Sequence, residues 1–361
     1  MATTGIASAG VIPSCAMIES VDIEDRASLV RYLQTTKRIP PDEQPAVRNL
    51  AGGVSNKTVL VMRPRGGDWV IKQALAKLRV QVEWFSDPSR IAREAEGMRW
   101  LNLLAPAGST TKLIFEDQSQ HLLAMQAVPQ PHENYKQVLL RGQIDVDMAA
   151  TFGELLGGIH READRRLLDL AKVFGDRSFF ESLRLEPYYL YAAEQVDESR
   201  AFMHALVADT RQQAATLVHG DYSPKNVLIH DGRLVLLDHE VIHLGDPAFD
   251  VGFALTHFLS KAHHMPARRE RMMAAAAAFA DAYFDRLGRV AWRGDVDARA
   301  SRHLRACLLA RVAGRSPLEY LSAIERRRQQ RVVVAMMHGQ PMTLRDVMDR
   351  FIEGVESDGG D

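Results

Sequence analysis

HGDYSPKN at residues 219–226, followed by VLIHDGRLVLLD at residues 227–238, is the stretch that decides the fold of this chain. Two short β-prone runs, VLI and LVLL, flank HDGR, and an Asp-Gly pair between apolar runs favours a tight β-hairpin. The start of one hairpin strand lies opposite the end of the other. Asn226 and Asp238 are therefore predicted to meet at the open end, with Cα atoms about 5 Å apart.

The residues at this open end suit the chemistry of phosphoryl transfer. Mg²⁺ prefers oxygen ligands, and the amide of Asn226 with the carboxylate of Asp238 would supply two of them. Asp221 lies in the loop that enters the hairpin, where its carboxylate is placed to accept a proton from a substrate hydroxyl. An Asp base, a nearby Asn and a metal-binding Asp after a hairpin form the arrangement of protein-kinase-like enzymes.

The segments HGDYSPKNVLI, LLDHE and GDPAFDVG resemble the catalytic and metal-binding segments of the aminoglycoside phosphotransferase and choline kinase superfamily. The resemblance extends over roughly residues 48–325 and implies an ATP- and Mg²⁺-dependent small-molecule kinase. It implies these roles: Asp221 catalytic, Asn226 and Asp238 metal-binding, Glu240 bordering the metal and His219 bracing the loop. Asp250 would either hold the backbone of the catalytic loop or cap the following helix.

The same resemblance implies an α+β, bilobal protein-kinase-like fold. A small N-terminal lobe would hold an antiparallel sheet with one helix, and a larger C-terminal lobe would be mainly helical. A chain of 361 residues suits two lobes rather than one core. We expect a flexible tail at residues 1–22, a nucleotide-binding lobe at 23–127, a catalytic and acceptor-binding lobe at 128–355, and a second tail at 356–361.

Composition narrows the class of partner. The formal net charge of -1 gives no reason to expect binding to nucleic acid or to an acidic membrane surface, and no apolar run is long enough to span a bilayer. Cys15 and Cys307 are far apart in sequence and match no metal or disulfide spacing. We therefore expect a cytoplasmic protein whose partner is a small molecule with a hydroxyl group. The oligomeric state stays open, with a homodimer as one alternative.

The first third of the chain carries a pattern that suits a nucleotide. LAGGVSNK at residues 50–57 precedes two β-prone runs, so its glycine-rich turn could bring backbone N–H groups close to phosphates. Lys72 ends the second run, as the ATP-contacting lysine of kinases does, and needs a carboxylate from a helix. The residues predicted to contact nucleotide in this region are Gly52, Gly53, Ser55, Asn56 and Lys72.

A helix that could supply this carboxylate follows. Asp87 and Pro88 predict its start, and apolar residues then recur at helical spacing. Glu94 is the preferred partner for Lys72 because it lies beside the apolar stripe, and Glu96 is the alternative. Farther on, a strand broken by Pro129 predicts the hinge between the lobes. Its main chain would contact the adenine at Gln126 and Val128.

The acceptor is harder to read. Residues 281–331 contain twelve arginines, no lysine and six acidic residues, and this balance counts against a polycationic aminoglycoside. Arg311 and Arg315 flank a helix break before Ser316-Pro317, where a guanidinium could bind acceptor oxygens or the phosphoryl group.

A narrower resemblance covers residues 50–100. AGGVSN at residues 51–56 and IKQALAKLRV at residues 71–80 are similar to the nucleotide lobe of methylthioribose kinase. The chain departs from that family at Asn226, and no adjacent arginine pair is evident. The favoured acceptor is thus a sugar such as methylthioribose, and an aminoglycoside or choline-like amino alcohol is the alternative. A catalytically silent nucleotide-binding protein of the same fold, and GTP in place of ATP, also stay open.

Overall fold

The two β-prone runs near the N-terminus lie side by side in an antiparallel sheet. In the computed structural model, the described residues are 21–50, 53–80 and 83–357. The sheet has five strands in the order β1-β2-β3-β5-β4. These strands are β1 (Ala46–Asn49), β2 (Asn56–Met62), β3 (Trp69–Ala74), β4 (Leu113–Asp117) and β5 (Leu122–Gln126). Lys72 pairs with Thr58 on one side and Leu123 on the other, so it lies within β3 rather than at its end.

Each face of this sheet is covered by one helix. Helix α1 (Arg26–Thr35), capped by Asp25, packs Leu29 and Leu33 against Val59 and Ile71. Helix α2 (Arg90–Leu104) covers the other face with the apolar stripe that the sequence predicts, Ile91, Ala95, Met98, Leu101 and Leu104, all of them buried. The sheet therefore holds α2, and with it Glu94, at a fixed distance from β3.

Helix α2 begins later than Asp87 and Pro88 predict. The Asp87 carboxylate accepts from Ser89 N at 2.8 Å, and Ile91 N donates to Pro88 O at 3.1 Å. These local bonds form a tight turn before the regular helix starts at Arg90. Near the ends of the described ranges, Val21 is buried, Asp22 pairs with Lys57, and the last helix extends to Ser357.

The larger part of the chain is mainly helical, which confirms the predicted α+β fold. Its helices are α3 (Tyr135–Leu140), α4 (Val146–Asp164), α5 (Leu167–Phe174), α6 (Ser178–Phe180), α7 (Tyr191–Gln195), α8 (Arg200–Gln212), α9 (Pro247–His264), α10 (Arg269–Leu287), α11 (Val296–Ala313), α12 (Ala323–Met337) and α13 (Leu344–Ser357). A π-helical segment, Glu181–Leu190, joins α6 to α7. Across the described ranges, no helix is long and apolar enough to cross a membrane.

Helices α4, α9, α10 and α11 form the centre of this lobe. A Cβ at Gly153 of α4 would lie 2.1 Å from Phe279 O of α10, so glycine is needed for the two helices to pack this closely. A Cβ at Gly252 of α9 would similarly lie 2.6 Å from Leu304 N of α11. The close packing fixes α9, whose first turn faces the catalytic loop.

Short strands support the loop that carries HGDYSPKN. Strand β7 (Thr216–Val218) leads into it and pairs with β10 (His243–Gly245). The predicted hairpin is present as β8 (Val227–His230) and β9 (Arg233–Leu236), with β6 (Glu133–Asn134) beside β8. The loop before β4 reaches this hairpin, because Leu236 N donates to Ser109 O at 2.8 Å. The hairpin thus joins the two parts of the molecule beneath the cleft.

Candidate active site

The catalytic loop is fixed by backbone hydrogen bonds to one buried carboxylate. Asp250, fully buried in α9, accepts from His219 N at 2.7 Å and from Gly220 N at 2.8 Å. Gly220 has φ +76° and a Cβ there would lie 2.9 Å from Val241, so only glycine fits this turn. Helix α9 is instead capped by Asp246, which accepts from Ala248 N. Of the two predicted roles for Asp250, its contacts match the first.

Two further residues of the loop are anchored. Tyr222 donates its hydroxyl to Phe152 O at 2.7 Å and stacks on the Phe152 ring at 4.3 Å. His219 Nδ1 accepts from Asp221 N at 3.2 Å, and its Nε2 lies 3.1 Å from a ring nitrogen of His239. His219 thus contacts the backbone of the loop, where the resemblance places its bracing role. These contacts fix the backbone on both sides of Asp221, whose side chain is largely buried.

The Asp221 carboxylate lies among donors. Asn226 Nδ2 donates to Asp221 Oδ2 at 2.6 Å, and Arg184 Nη2 lies 3.0 Å from the same oxygen. Lys225 Nζ approaches it at 3.7 Å, and the negative charge of Asp221 raises the pKa of Lys225. Arg184 also donates to Gly220 O at 2.7 Å. Three side chains therefore orient the Asp221 carboxylate. One of them is the amide of Asn226, which is also predicted to bind metal.

The hairpin register sets the distance between the predicted metal ligands. Val227 pairs with Leu236, and Leu237 N donates to Asn226 O at 2.9 Å. Leu237 is therefore opposite Asn226, and Asp238 follows one residue beyond it. Asp238 has φ +67°, a left-handed conformation that turns the chain at this point. Because Asn226 Nδ2 faces Asp221, its Oδ1 faces away from that carboxylate.

Lys72 joins the two lobes through carboxylates. Its Nζ lies 2.6 Å from Glu94 Oε1 and 2.7 Å from Asp238 Oδ1. Burial opposes the charge on Lys72, but Asp238 and Glu94 hold its pKa above the usual range. Burial raises the pKa of Glu94 to about 7, opposed by Lys72. Burial also acts to raise the pKa of Asp238, yet Lys72 and Lys225 hold it below the usual range.

The alternative partner for Lys72 points elsewhere. Glu96 pairs with Arg99 at 2.6 Å on the exposed side of α2. Glu94 lies beside the buried apolar stripe of α2 and contacts Lys72, while Glu96 lies on the exposed side of the helix. The preference for Glu94 rested on this difference.

Glu240 makes a second contact between the lobes. Its Oε2 accepts from Asn56 Nδ2 and from Arg90 Nε, both at 3.1 Å. Arg90 is fully buried and also donates to the carbonyls of Ser55 and Leu75. This single guanidinium therefore holds the turn around Ser55 against the catalytic lobe.

The remaining residues of the predicted phosphate turn lie near this contact. Ser55 and Asn56 are buried, and Asn56 pairs with Ala74 at the start of β2. Gly53 is exposed. Gly52 lies outside the described residues. Of the residues predicted to contact phosphate that the structure describes in this turn, Gly53 is therefore exposed, and Ser55 and Asn56 are buried.

These carboxylates could hold a divalent cation. One oxygen each from Glu94, Asp238 and Glu240 lie within 4.8 Å of one another. Glu94 Oε2 and Asn56 Oδ1 are buried and have no hydrogen-bond partner among the described residues. Hard oxygen donors with free lone pairs are what Mg²⁺ requires, so the residues present fit the ion.

The predicted hinge follows the sheet. Gln126 N donates to Lys112 O and Ala127 N donates to Asp68 O, both at 2.9 Å. Gln126 and Val128 line a cavity of about 410 Å³ that also includes Lys112 and Asp231. The hinge backbone thus runs along one wall of a cavity between the sheet and the turn of the hairpin.

The two candidate acceptor arginines have different surroundings. Arg311 is buried and donates to the Tyr188 hydroxyl at 3.0 Å, on the same ring that Arg184 faces at 5.5 Å. Arg315 instead donates to Glu83 O at 3.2 Å and lies 3.4 Å from Glu186. Arg311 is therefore linked through Tyr188 and Arg184 to Asp221, while Arg315 contacts the N-terminal lobe.

Arg184 and Arg90 are site residues that sequence reasoning missed. Arg184 lies in the π-helical segment Glu181–Leu190, which carries no motif. Arg90 directly follows the turn at Asp87 and reads as an ordinary surface arginine in the first turn of a helix. One feature of the sequence could have identified Arg90. It lies at the start of the amphipathic helix that carries Glu94, and this end of the helix faces the turn around Ser55.

The chain matches the model of one protein family and is similar to several solved structures. The family model described as "Phosphotransferase enzyme family" (APH) matches residues 46–294, more than half of the chain. A search of curated proteins by sequence gave no match. The chain is similar to the solved structure of the amicoumacin kinase hAmiN in complex with AMP-PNP, Ca²⁺ and Ami. The TM-score is 0.55 at 15% identity, over 87% of this chain and 94% of that one.

Two other solved structures resemble the chain at lower TM-scores. The macrolide 2'-phosphotransferase MphH from Brachybacterium faecium gives 0.49 at 18% identity, over 86% of this chain and 99% of that one. The choline kinase LicA from Streptococcus pneumoniae gives 0.46 at 12% identity, over 91% of this chain and 98% of that one.

Proposed function

Because the chain belongs to the phosphotransferase enzyme family and is a small-molecule phosphotransferase, we propose that it moves the γ-phosphate of ATP to a hydroxyl group. The observation that carries this proposal is the meeting of two units in one cleft. One is Lys72 with Glu94 and Asp238, and the other is Asp221, oriented by Asn226 and Arg184. Nucleotide-dependent transfer to an alcohol needs both units.

The N-terminal lobe, residues 23–127, binds the nucleotide in this proposal. The turn at Gly52, Gly53, Ser55 and Asn56 contacts the phosphates, and Lys72 offsets their charge. The main chain at Gln126 and Val128 contacts the adenine. The amicoumacin kinase structure, which holds AMP-PNP with Ca²⁺, supports a nucleotide with a divalent cation in this fold. Asp238 and Asn226 would hold Mg²⁺, which when bound supplies positive charge to the phosphate oxygens.

The lobe at residues 128–355 binds the acceptor and carries the chemistry. Asp221 orients the acceptor hydroxyl and takes its proton. The hydroxyl oxygen forms a bond to the γ-phosphorus as the bond from that phosphorus to the leaving oxygen of ADP breaks, with the two oxygens in line. No covalent enzyme intermediate is needed. Lys225 and Arg184, beside Asp221, are placed to offset the negative charge that spreads over the transferring group.

The favoured acceptor is a sugar such as methylthioribose, because the nucleotide lobe resembles that of methylthioribose kinase. The cationic residues around Asp221 argue against aminoglycosides and amino alcohols, since these carry positive charge. A reducing, cytoplasmic setting is part of the proposal. It is supported by Cys307, which is buried and free.

A phosphorylation screen tests the proposal. Purified protein is incubated with MgATP or MgGTP and with methylthioribose, other pentoses, amino alcohols or aminoglycosides, and ADP or GDP release is measured together with the phosphorylated product. Acceptor-dependent release with a phosphorylated product is expected. Nucleotide binding without release for any acceptor class would instead indicate a catalytically silent protein, and Asp221→Asn provides the matched inactive control.

A further inference from the structure

Cationic side chains from four elements act on one buried histidine, His257, and one of these side chains, Lys225, lies 3.7 Å from Asp221. We call Lys136, Lys225, Lys261 and Arg311, together with His257, the cation cluster. Lys225 lies in the catalytic loop, Lys136 in α3, Arg311 near the end of α11, and His257 and Lys261 in α9. Asn134, next to α3, donates to Lys225 O at 2.7 Å, so α3 is attached directly to the catalytic loop.

Two members of the cluster face the same aromatic ring. The ammonium groups of Lys261 and Lys136 lie 5.4 Å and 6.0 Å from the centre of the Tyr320 ring. Lys261, fully buried, makes its one hydrogen bond among the described residues to His257 O, at 3.1 Å. The ammonium groups of Lys136 and Lys261 are thus held close together, and Lys261 is shielded from water.

The cluster also contains polar atoms that have no partner. His257 is 3% exposed, and neither of its ring nitrogens has a hydrogen-bond partner in the described structure. Arg311 Nε is likewise buried and unpaired, and so is the hydroxyl of Tyr320, whose ring faces Lys136 and Lys261. A buried polar group without a partner costs free energy, so donors gathered at one place indicate a missing acceptor.

Carboxylates do not balance this charge. Glu319 pairs with Lys136, and Asp221 is shared between Arg184 and Lys225. Within the described ranges, no carboxylate forms an ion pair with Lys261 or Arg311. Burial, and then the charge of Lys136, lowers the pKa of Lys261 to about 7. Burial, followed by the charges of Lys261 and Arg311, lowers the pKa of His257 well below its usual value.

We propose that the cation cluster binds an acidic group of the acceptor, so that the substrate is an anionic small molecule with a hydroxyl group at Asp221. This inference rests on the proposed phosphate transfer to a hydroxyl group, but it replaces the favoured acceptor, because methylthioribose carries no charge. A phosphate or carboxylate at the cluster would accept from Lys261, Arg311, His257 and Tyr320, and would supply the missing negative charge. A neutral sugar leaves these groups unpaired, and a cationic acceptor is repelled.

Matched pairs of acceptors test the charge directly. Ribose is compared with ribose 5-phosphate, and glycerol with glycerate, in the ADP-release assay with the full chain. A KM at least roughly tenfold lower for the anionic member of a pair is expected. The phosphate and carboxylate pairs separate the two kinds of acidic group. Efficient use of neutral acceptors such as methylthioribose, with no gain from an acidic group, would overturn this inference and leave the proposed phosphotransferase in place.

Two variants locate the effect. Lys261→Met keeps the length of the side chain and removes its charge, so it should abolish the preference for the anionic acceptor. Lys172→Met, at an exposed position of α5 that pairs with Asp169, is the matched control and should keep the preference. An equal loss of activity toward neutral and anionic acceptors in Lys261→Met would contradict a role in recognising charge.

Sulfate binding gives a measurement that requires neither turnover nor a variant. Sulfate keeps its charge from pH 6 to 9, and it should raise the melting temperature of the wild-type protein more than sodium chloride at equal ionic strength. The groups that face Lys261 are Lys136, Arg311, Glu319, Tyr320 and His257. Since Lys261 must bind a proton to hold an anion, sulfate affinity should fall by about tenfold per pH unit above pH 7. No sulfate effect at any pH would refute the anion site.

Discussion

Arg184 Nη2 lies 3.0 Å from Asp221 Oδ2, and the same guanidinium donates to Gly220 O at 2.7 Å. One buried side chain therefore holds both the proposed base and the backbone that precedes it. Burial opposes the charge of Arg184, but Asp221 keeps its pKa above the usual range, so it stays a cation. The orientation of Asp221 thus depends on Arg184, which lies in a separate segment, 36 positions before Gly220.

Replacement of Asp221 should abolish transfer and spare nucleotide binding. Asp221→Asn keeps the shape and the contact with Asn226 but removes the proton acceptor, and general-base catalysis contributes about 10²–10⁴-fold in rate. We expect kcat to fall by that amount, while the affinity for MgATP changes by no more than a few-fold. Single-turnover transfer and nucleotide titration measure the two quantities. An unimpaired rate in Asp221→Asn or Asp221→Ala would refute the assignment of the base.

Arg184→Met should lower kcat more than it raises the KM for the acceptor. The side chain orients Asp221 without being a base itself, and misplacement of a reacting group by about 1 Å can cost roughly 100-fold. Arg184→Lys should recover part of the rate because it restores the charge. Arg200→Lys, on the exposed surface of α8, is the control. A change confined to KM would show that Arg184 binds substrate rather than positions Asp221.

Asp238→Asn should remove the Mg²⁺ dependence of nucleotide binding. The substitution keeps a residue that tolerates the left-handed backbone at this position, but it removes the charge that pairs with Lys72 and would bind the cation. Asp197→Asn, at an exposed position where the carboxylate pairs with Arg200, is the control. Titration of nucleotide with and without Mg²⁺ compares them, and unchanged MgATP affinity in Asp238→Asn would count against the role.

Part of this architecture was readable from the sequence because it is local. The Asp231-Gly232 turn between apolar runs predicts the hairpin, and the structure has it between β8 and β9. The position of Glu94 beside an apolar stripe predicts that it faces the sheet, where it lies 2.6 Å from Lys72. The spacing of apolar residues fixes which side of a helix is buried. It therefore predicts the contact between Glu94 and Lys72, which are 22 positions apart in the chain.

The rest depends on contacts that no local pattern encodes. Arg90 meets Glu240 across 150 positions, and Arg311 meets Tyr188 across 123. An arginine near the start of a helix reads as a surface residue, and only the packed lobes show that Arg90 is fully buried. The start of α2 was misplaced for a related reason: side-chain bonds at Asp87 form a turn that competes with the helix.

Glu240→Gln should destabilise the protein and weaken ATP binding together. The amide can still accept from Arg90, but it leaves that buried guanidinium without a negative partner, at a cost of about 1–3 kcal/mol. The turn at Ser55 and Asn56 loses part of its support, so the KM for ATP should rise. Denaturant unfolding and initial rates measure both effects. Glu133→Gln, whose partner Arg141 is exposed, should change neither quantity.

Acid should destabilise the fold through its buried histidines. Burial lowers the pKa of His243 to about 4, and it also lowers the pKa values of His219, His239 and His257. In the unfolded chain these groups bind protons near pH 6.5, so the unfolded state gains stability as the pH falls below that value. The free energy of unfolding should decrease by about 1.4 kcal/mol per pH unit for each histidine.

Substitution isolates the contribution of one ring. His243→Gln should reduce the slope of unfolding free energy against pH by about one proton between pH 6 and 4.5. His338→Gln, at an exposed position, should leave the slope unchanged. Urea unfolding at a series of pH values gives these slopes, and identical slopes for His243→Gln and the wild type would contradict the prediction.

The ion pair between Arg90 and Glu240 lies beside the turn at Ser55 and Asn56 that we propose contacts the phosphates of a nucleotide, and both side chains are buried. The lobes cannot separate there without exposing a guanidinium and a carboxylate to water at the same moment. Exchange of ADP for ATP is therefore coupled to hydration of the ion pair between Arg90 and Glu240. Added salt stabilises separated charges, so we expect it to speed the departure of ADP, which a stopped-flow chase with fluorescent ADP would measure.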